Sequence, residues 1–143
     1  MTLAELLYAI NDMAIQEKII NFAATGPDLY ELNSETIKDY PVMFTSPTGT
    51  HTVEENSTTF SITIYYFDRL LNDSQNDIDI MSTAVEELKN IVNGIKYIDG
   101  VMGVDSVWDI DNFVETEAFN DRIAGAYATL RIEVLNNTLC HED

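Results

Sequence analysis

Two acidic stretches hold most of the residues from which chemistry could be built. The first runs from Asp68 through "LLNDSQNDIDI" and offers Asp68, Asn72, Asp73, Ser74, Asn76, Asp77 and Asp79 within a few turns of chain. Such hard oxygen donors suit calcium or magnesium. A calcium loop of the EF-hand type also needs Gly at its sixth position and a bidentate Glu at its twelfth. Counted from Asp73, those positions hold Ile78 and Ala84, so that motif is absent. The same residues meet the needs of a turn from a strand into a helix. Ser74 or Asn76 can accept a free N–H of the first turn, and Asp77 and Asp79 set negative charge against the positive end of the helix dipole.

The second stretch is "DSVWDIDNFVETE", from Asp105. Read as a strand, it puts Asp105, Asp109 and Asp111 on one face, alternating with Val104, Trp108 and Ile110. Paired carboxylates serve acid–base catalysis or magnesium–phosphate chemistry. Three of them on one strand face are more simply a solvated outer face. His51 stands in a polar loop and His141 two residues from the end, and neither has a Ser or Cys nucleophile placed beside it by local pattern. Cys140 is the single cysteine, which excludes an intramolecular disulfide and a Cys/His zinc cluster. No glycine-rich phosphate loop, HExxH or GxSxG is present. The expectation is a protein that is not an enzyme, with no cofactor and no metal.

Charge bounds the partners. The chain has 143 residues, 25 of them acidic and seven basic, for a net charge of −18. Binding nucleic acid or anionic lipid by phosphate neutralisation is disfavoured by that sign. The arginines, Arg69, Arg122 and Arg131, are scattered and make no basic stripe. The N-terminus lacks the basic and apolar regions of a signal peptide, and no apolar run is long enough for a membrane span. A cytoplasm-like setting is expected.

Length and hydrophobic content fit a single domain, residues 1–143, with 137–143 as a flexible tail. Thr2 and Glu5 form a candidate capping box at the start of a helix expected to reach about Ala24. Leu3, Leu6, Leu7, Ile10 and Ala14 recur at helical spacing, and Ile15, Ile19 and Phe22 begin a second, offset stripe. "LYELN" and "YPVMFTSP" are strand candidates, the second bounded by Pro41 and Pro47. "TGTHTVEENS" is a polar loop or hairpin tip that projects. From Thr58 to Asp68, Phe60, Ile62, Ile64 and Tyr66 alternate with Ser61, Thr63, Tyr65 and Phe67. The second set turns aromatic at its end, so that end must be covered. Ile80, Met81, Ala84, Val85, Leu88, Val92 and Ile95 mark a second amphipathic helix. Gly100 and Gly103 open a turn. In the last strand, Ala124, Ala126 and Ala128 leave space for a helix to sit close. The expected fold is α+β, a mostly antiparallel sheet with the N-terminal helix and a second long helix packed on it.

The pattern as a whole resembles phage tail-terminator-like (tail-completion) proteins, small α+β subunits that join the head or neck of a virion to its tail. The resemblance is carried by the N-terminal helix, "YPVMF", "FSITIYYFDRL", the turn and helix "NDSQNDIDIMSTAVEELKNIV", and closing strands ending "AYATLRIEVLN". It covers roughly residues 2 to 136 and is also seen with uncharacterised proteins of phages of gut bacteria. It implies a homo-oligomeric ring of six or twelve subunits around the DNA channel, stacked on adjacent neck, tail or portal proteins. The location implied is the virion, with the host cytoplasm during assembly. DNA would pass without specific binding, which an acidic lining favours. The residues expected to make subunit or partner contacts are Thr48, Gly49, Thr50, His51, Thr52, Val53 and Glu54 in the loop, with Tyr65 and Phe67 covered by a neighbouring element. Two further readings stand beside it: an acidic adaptor or inhibitor that captures a basic partner as a nucleic-acid mimic, and, well behind, a small hydrolase using Asp109 and Asp111.

Overall fold

The computed structural model describes residues 1–29, 32, 39–70, 76–116 and 122–136. The order is α1 (Leu3–Gln16), β1 (Phe22–Thr25), β2 (Val42–Pro47), β3 (Thr52–Val53), β4 (Ser57–Arg69), α2 (Asp77–Ile95), β5 (Val101–Val104), β6 (Ile110–Glu115) and β7 (Ile123–Leu135). The fold is α+β, with two helices and a mostly antiparallel seven-stranded sheet.

Helix α1 begins at the capping box: Glu5 N–H donates to Thr2 Oγ1 at 3.1 Å and Thr2 N–H donates to Glu5 Oε1 at 2.7 Å. It stops at Gln16, eight residues short of Ala24 (24 − 16 = 8), which corrects the longer helix expected from the sequence. The cause is a Schellman turn. Lys18 takes a left-handed φ of 60°, its N–H donates to the Ile15 carbonyl, and the Ile19 N–H donates to the Ala14 carbonyl, both at 3.0 Å. Glycine is the usual residue there and Lys18 gives no such signal. The offset stripe therefore has a different origin: Ile19 and Ile20 are buried by the turn, and Phe22 starts a strand.

Strands β4 and β7 form the centre of the sheet, paired antiparallel over their whole length from Ser57↔Leu135 to Arg69↔Ile123. On the far side of β4 lies β2, antiparallel, and beyond it β1, parallel to β2. The short β3 pairs with the start of β4. Beyond β7 lie β5 and β6, end to end. Gly100 makes the turn before β5, while Gly103 belongs to β5, at a register shift against β7. Strand candidate "LYELN" falls mostly outside the described residues; Leu29 and Leu32 are joined by a 3.0 Å turn hydrogen bond. The tail 137–143, with Cys140 and His141, also lies outside them.

Both helices cover one face of the sheet. Leu6, Leu7, Ile10 and Ala14 of α1 and Ala84, Leu88, Ile91, Val92 and Ile95 of α2 pack on Met43, Ile62, Ile64, Tyr66, Ala126, Leu130, Ile132 and Val134. The alternation along β4 and β7 dictates this, since a period of two places these residues on one side. The alanines of β7 admit α2 as expected: Ala124 meets Ile80 and Leu70. Thr45 is fully buried on this face and is tied to α1, its hydroxyl 2.7 Å from Thr25 Oγ1 and 3.4 Å from Asn11 Oδ1. The opposite face carries a smaller cluster in which Leu29, Val42, Phe44, Phe67 and Ile123 are buried. Among the described residues, β1 on one side and β5 and β6 on the other have no strand beyond them. No described helix is long and apolar enough to cross a membrane.

Candidate functional site

The loop after β2 is fastened down. Gly49, at φ 67°, turns the chain, and the Thr48 N–H donates to the Ser61 carbonyl at 3.0 Å. His51 lies along β4, its Nδ1 accepting the Ser61 N–H at 3.0 Å and its ring set edge-on to Phe60 with centroids 5.4 Å apart. That ring nitrogen is committed to a structural bond. Arg131, on β7, donates to the Thr50 carbonyl at 3.0 Å and to Thr52 Oγ1 at 2.8 Å. Asn136 donates to the carbonyls of Glu54 and Glu55 at 2.9 and 3.1 Å. Of the two readings, polar loop or hairpin tip, the structure shows the hairpin, and it is clamped to the end of β7. Its outward groups are Thr52, Val53, at 75% exposure, and Glu54. Arg131 and Asn136 make the clamp through pairs some 80 residues apart, which no local pattern announces.

Tyr65 and Phe67 lie on the face opposite the helices, as their alternation requires, but their situations differ. Phe67 is fully buried by this chain itself, against Tyr40 and Phe113 with ring centroids 6.4 Å away in each case. It is covered from within and presents nothing to a neighbour, so the expected contact at Phe67 is corrected. Tyr65 is half-buried, between Phe44, Phe113 and Tyr127, whose centroids lie 6.2, 6.1 and 5.4 Å away. Arg69 caps the far end, its guanidinium 5.4 Å from the centre of the Tyr40 ring.

The acidic strand face does not form. Asp105 sits in a break between β5 and β6, and its Oδ2 accepts the Arg131 backbone N–H at 3.1 Å. Asp109 precedes β6 and Asp111 is within it, both exposed. Trp108, in the same break, packs against the helix-side core. Asp105 is thereby separated from the other two, and no three carboxylates share a site.

At the start of α2, Asp77 and Asp79 do occupy the first turn. Asn76 is the N-cap residue, yet its side chain makes no capping bond and instead donates to the Arg69 carbonyl at 3.4 Å. Ser74 lies outside the described residues. A pocket of about 190 Å³ opens here, between the end of β4 and α2, lined by Tyr66, Asp68, Asn76, Asp79, Ile80 and Thr83. Tyr66 is 4% exposed, and among the described residues its hydroxyl has no hydrogen-bond partner. Burial first, then the carboxylates of Glu87 and Asp68, push its phenol well above the ordinary tyrosine range. Alternation along β4 already sets Tyr66 with Phe60, Ile62 and Ile64 and Tyr65 on the other face; the pocket at Tyr66 comes only from the placement of α2. No three His, Cys, Asp or Glu among the described residues gather to hold a metal ion.

Compared with known proteins, the chain matches no protein-family model and no curated protein.

Proposed function

We propose that this chain is a structural subunit of a phage virion, forming an oligomeric ring that joins head and tail around the DNA channel, as in the tail-terminator-like proteins it resembles. The observation that carries the reading is a pair of sheet edges with no strand beyond them among the described residues and with apolar side chains beside them. Tyr8 and Ile15, on α1 next to β1, are 60% and 42% exposed; Met102, Val107 and Val114, around β5 and β6, are 54%, 83% and 49% exposed. Two different sticky edges on opposite sides of one subunit suit a head-to-tail contact, and such contacts make rings when the rotation closes. The partners are then further copies of the chain and the neck, tail or portal proteins stacked on them.

Charge sets the conditions. Seven basic residues can neutralise at most seven acids, leaving 18 of the 25 unpaired within the chain (25 − 7 = 18). Copies repel one another at low salt, and screening at physiological ionic strength shortens that repulsion to about 8 Å. A channel lined by such subunits repels DNA phosphates, letting DNA slide. The test is native mass by light scattering across protein and salt concentration. A closed species of six or more copies, favoured by salt, is the expected result.

The same surplus of acid favours a second reading, an acidic adaptor that captures a basic protein. It predicts a monomer or dimer at every salt concentration and tight binding to a basic protein that weakens as salt rises. That pair of results would overturn the ring.

A further inference from the structure

The pocket between β4 and α2 is unusual in its lining. Among the described residues its polar groups are the oxygen-bearing side chains of Asp68, Asp79, Asn76, Thr83 and Tyr66, Ile80 supplies an apolar wall, and no cationic side chain lines it. Acidic groups at a helix start are ordinary. The Tyr66 hydroxyl is not: it belongs to a residue that lines this pocket while only 4% exposed, and it has no hydrogen-bond partner among the described residues. Buried polar groups are nearly always bonded, and one that is not points to a missing water, ion or ligand.

We propose that this pocket binds a protonated amine, held by the carboxylates of Asp68 and Asp79 and by the phenol oxygen of Tyr66, with its first methylenes against Ile80. An ammonium group has three N–H donors and no acceptor, which complements a rim of oxygens. Asp68 Oδ1 already accepts the Arg69 backbone N–H at 2.7 Å, so the amine meets Oδ2. The Arg69 side chain lies over Tyr40 and leaves the charge of the pocket uncompensated from that side. With its phenol kept protonated, Tyr66 accepts from the amine through oxygen and donates its own proton to a carboxylate or to water. A divalent metal ion is the competing occupant: it too takes carboxylate oxygens, but it leaves the apolar wall of Ile80 without a partner. The volume of about 190 Å³ exceeds the roughly 30 Å³ share of one water, leaving room for an alkylammonium head and stem. The amine is either a lysine side chain of an adjoining protein or a small free amine. The pocket lies within one chain, so the inference does not rest on the ring.

The experiment uses the full chain with isotopically labelled tyrosine rings. The Tyr66 resonance is assigned by its loss in Tyr66→Phe and followed during titration with n-butylammonium chloride. Tetramethylammonium chloride at equal ionic strength carries the charge without N–H donors. The expected result is a saturable shift with butylammonium and none with tetramethylammonium, weakened about tenfold or more by Asp79→Asn. A capped Gly-Lys-Gly peptide separates the sources: tighter binding than butylammonium assigns the site to a protein side chain, and equal or weaker binding to a free amine. Equal, unsaturating shifts with both cations would show charge screening alone and overturn the proposal. So would saturation by calcium or magnesium chloride without saturation by butylammonium.

Discussion

Replacing Gly125 by alanine tests the packing of the two central strands. A Cβ built on Gly125 would lie 2.7 Å from Phe67 Cα and 2.9 Å from Phe67 Cβ, and closer still to the Tyr66 carbonyl oxygen. Comfortable contacts begin at about 3.5 Å between carbons and a few tenths less to oxygen, so the Tyr66 carbonyl sets the shift and β4 and β7 must part locally by about 1 Å or more. The obstructing atoms are mostly backbone in a fully paired ladder and cannot rotate aside. Overpacking of this kind costs about 1–3 kcal/mol. Opposing it, alanine restricts the unfolded chain and returns about 0.4–1 kcal/mol. The contact is with main chain, so the upper part of the cost range applies and the net loss is about 2 kcal/mol. That lowers Tm by about 4–8 °C for a chain of this length. Urea denaturation followed by the single tryptophan, Trp108, and by far-UV circular dichroism reads the loss directly. Gly103→Ala is the control, since its Cβ meets nothing within 4 Å. It should change stability by no more than about 0.5 kcal/mol. If Gly125→Ala is as stable as the parent, or if the two variants lose equally, the close approach of β4 and β7 at this point is wrong.

Three further outcomes follow from particular contacts. Lys18→Gly relieves a left-handed residue at the end of α1 and should stabilise the protein by about 1 kcal/mol in urea denaturation; a loss would mean that the turn is not of the Schellman form. Tyr66→Phe removes a hydroxyl with no partner among the described residues and should leave stability near neutral pH unchanged within about 0.5 kcal/mol. Because the folded phenol titrates above the unfolded one, the native state holds its proton while the unfolded state releases it. The parent's stability is therefore intact below about pH 10 and falls above it, by up to ~1.4 kcal/mol per pH unit from this one group. Denaturation at pH 9 and pH 11 should show a smaller drop in Tyr66→Phe, and equal drops would refute the burial of that phenol. Arg131→Ala frees the hairpin at Thr50 and Thr52. Amide exchange within residues 50–53 should accelerate by about tenfold with exchange in α1 unchanged, whereas acceleration everywhere would mean that Arg131 holds the core and not the hairpin.

The local periods of the sequence determined the fold class, the capping box at Thr2 and Glu5, the two faces of β4 and the buried stripe of α2, because each depends on residues within a few positions of one another. Where local patterns competed, they misled. Ile15, Ile19 and Phe22 continue a helical spacing, but a left-handed Lys18 ends α1, and no glycine marks the place. Asp105, Asp109 and Asp111 alternate as a strand should, yet the strand is in two pieces, with Asp105 bonded to the Arg131 N–H and Trp108 packed on the core in the break between them. The polarity of residues 48–56 marks a loop but not the clamp from Arg131 and Asn136 that holds it. Alternation alone sets neighbouring tyrosines 65 and 66 on opposite faces, without saying what either face meets. Only the placement of α2 over one side of the sheet makes Tyr66 a buried phenol facing an acidic pocket and leaves Tyr65 among aromatics on the open face. Sequence decided which side chains share a face, because a strand alternates strictly. Tertiary structure decided what each face meets, because that depends on segments brought together from far along the chain.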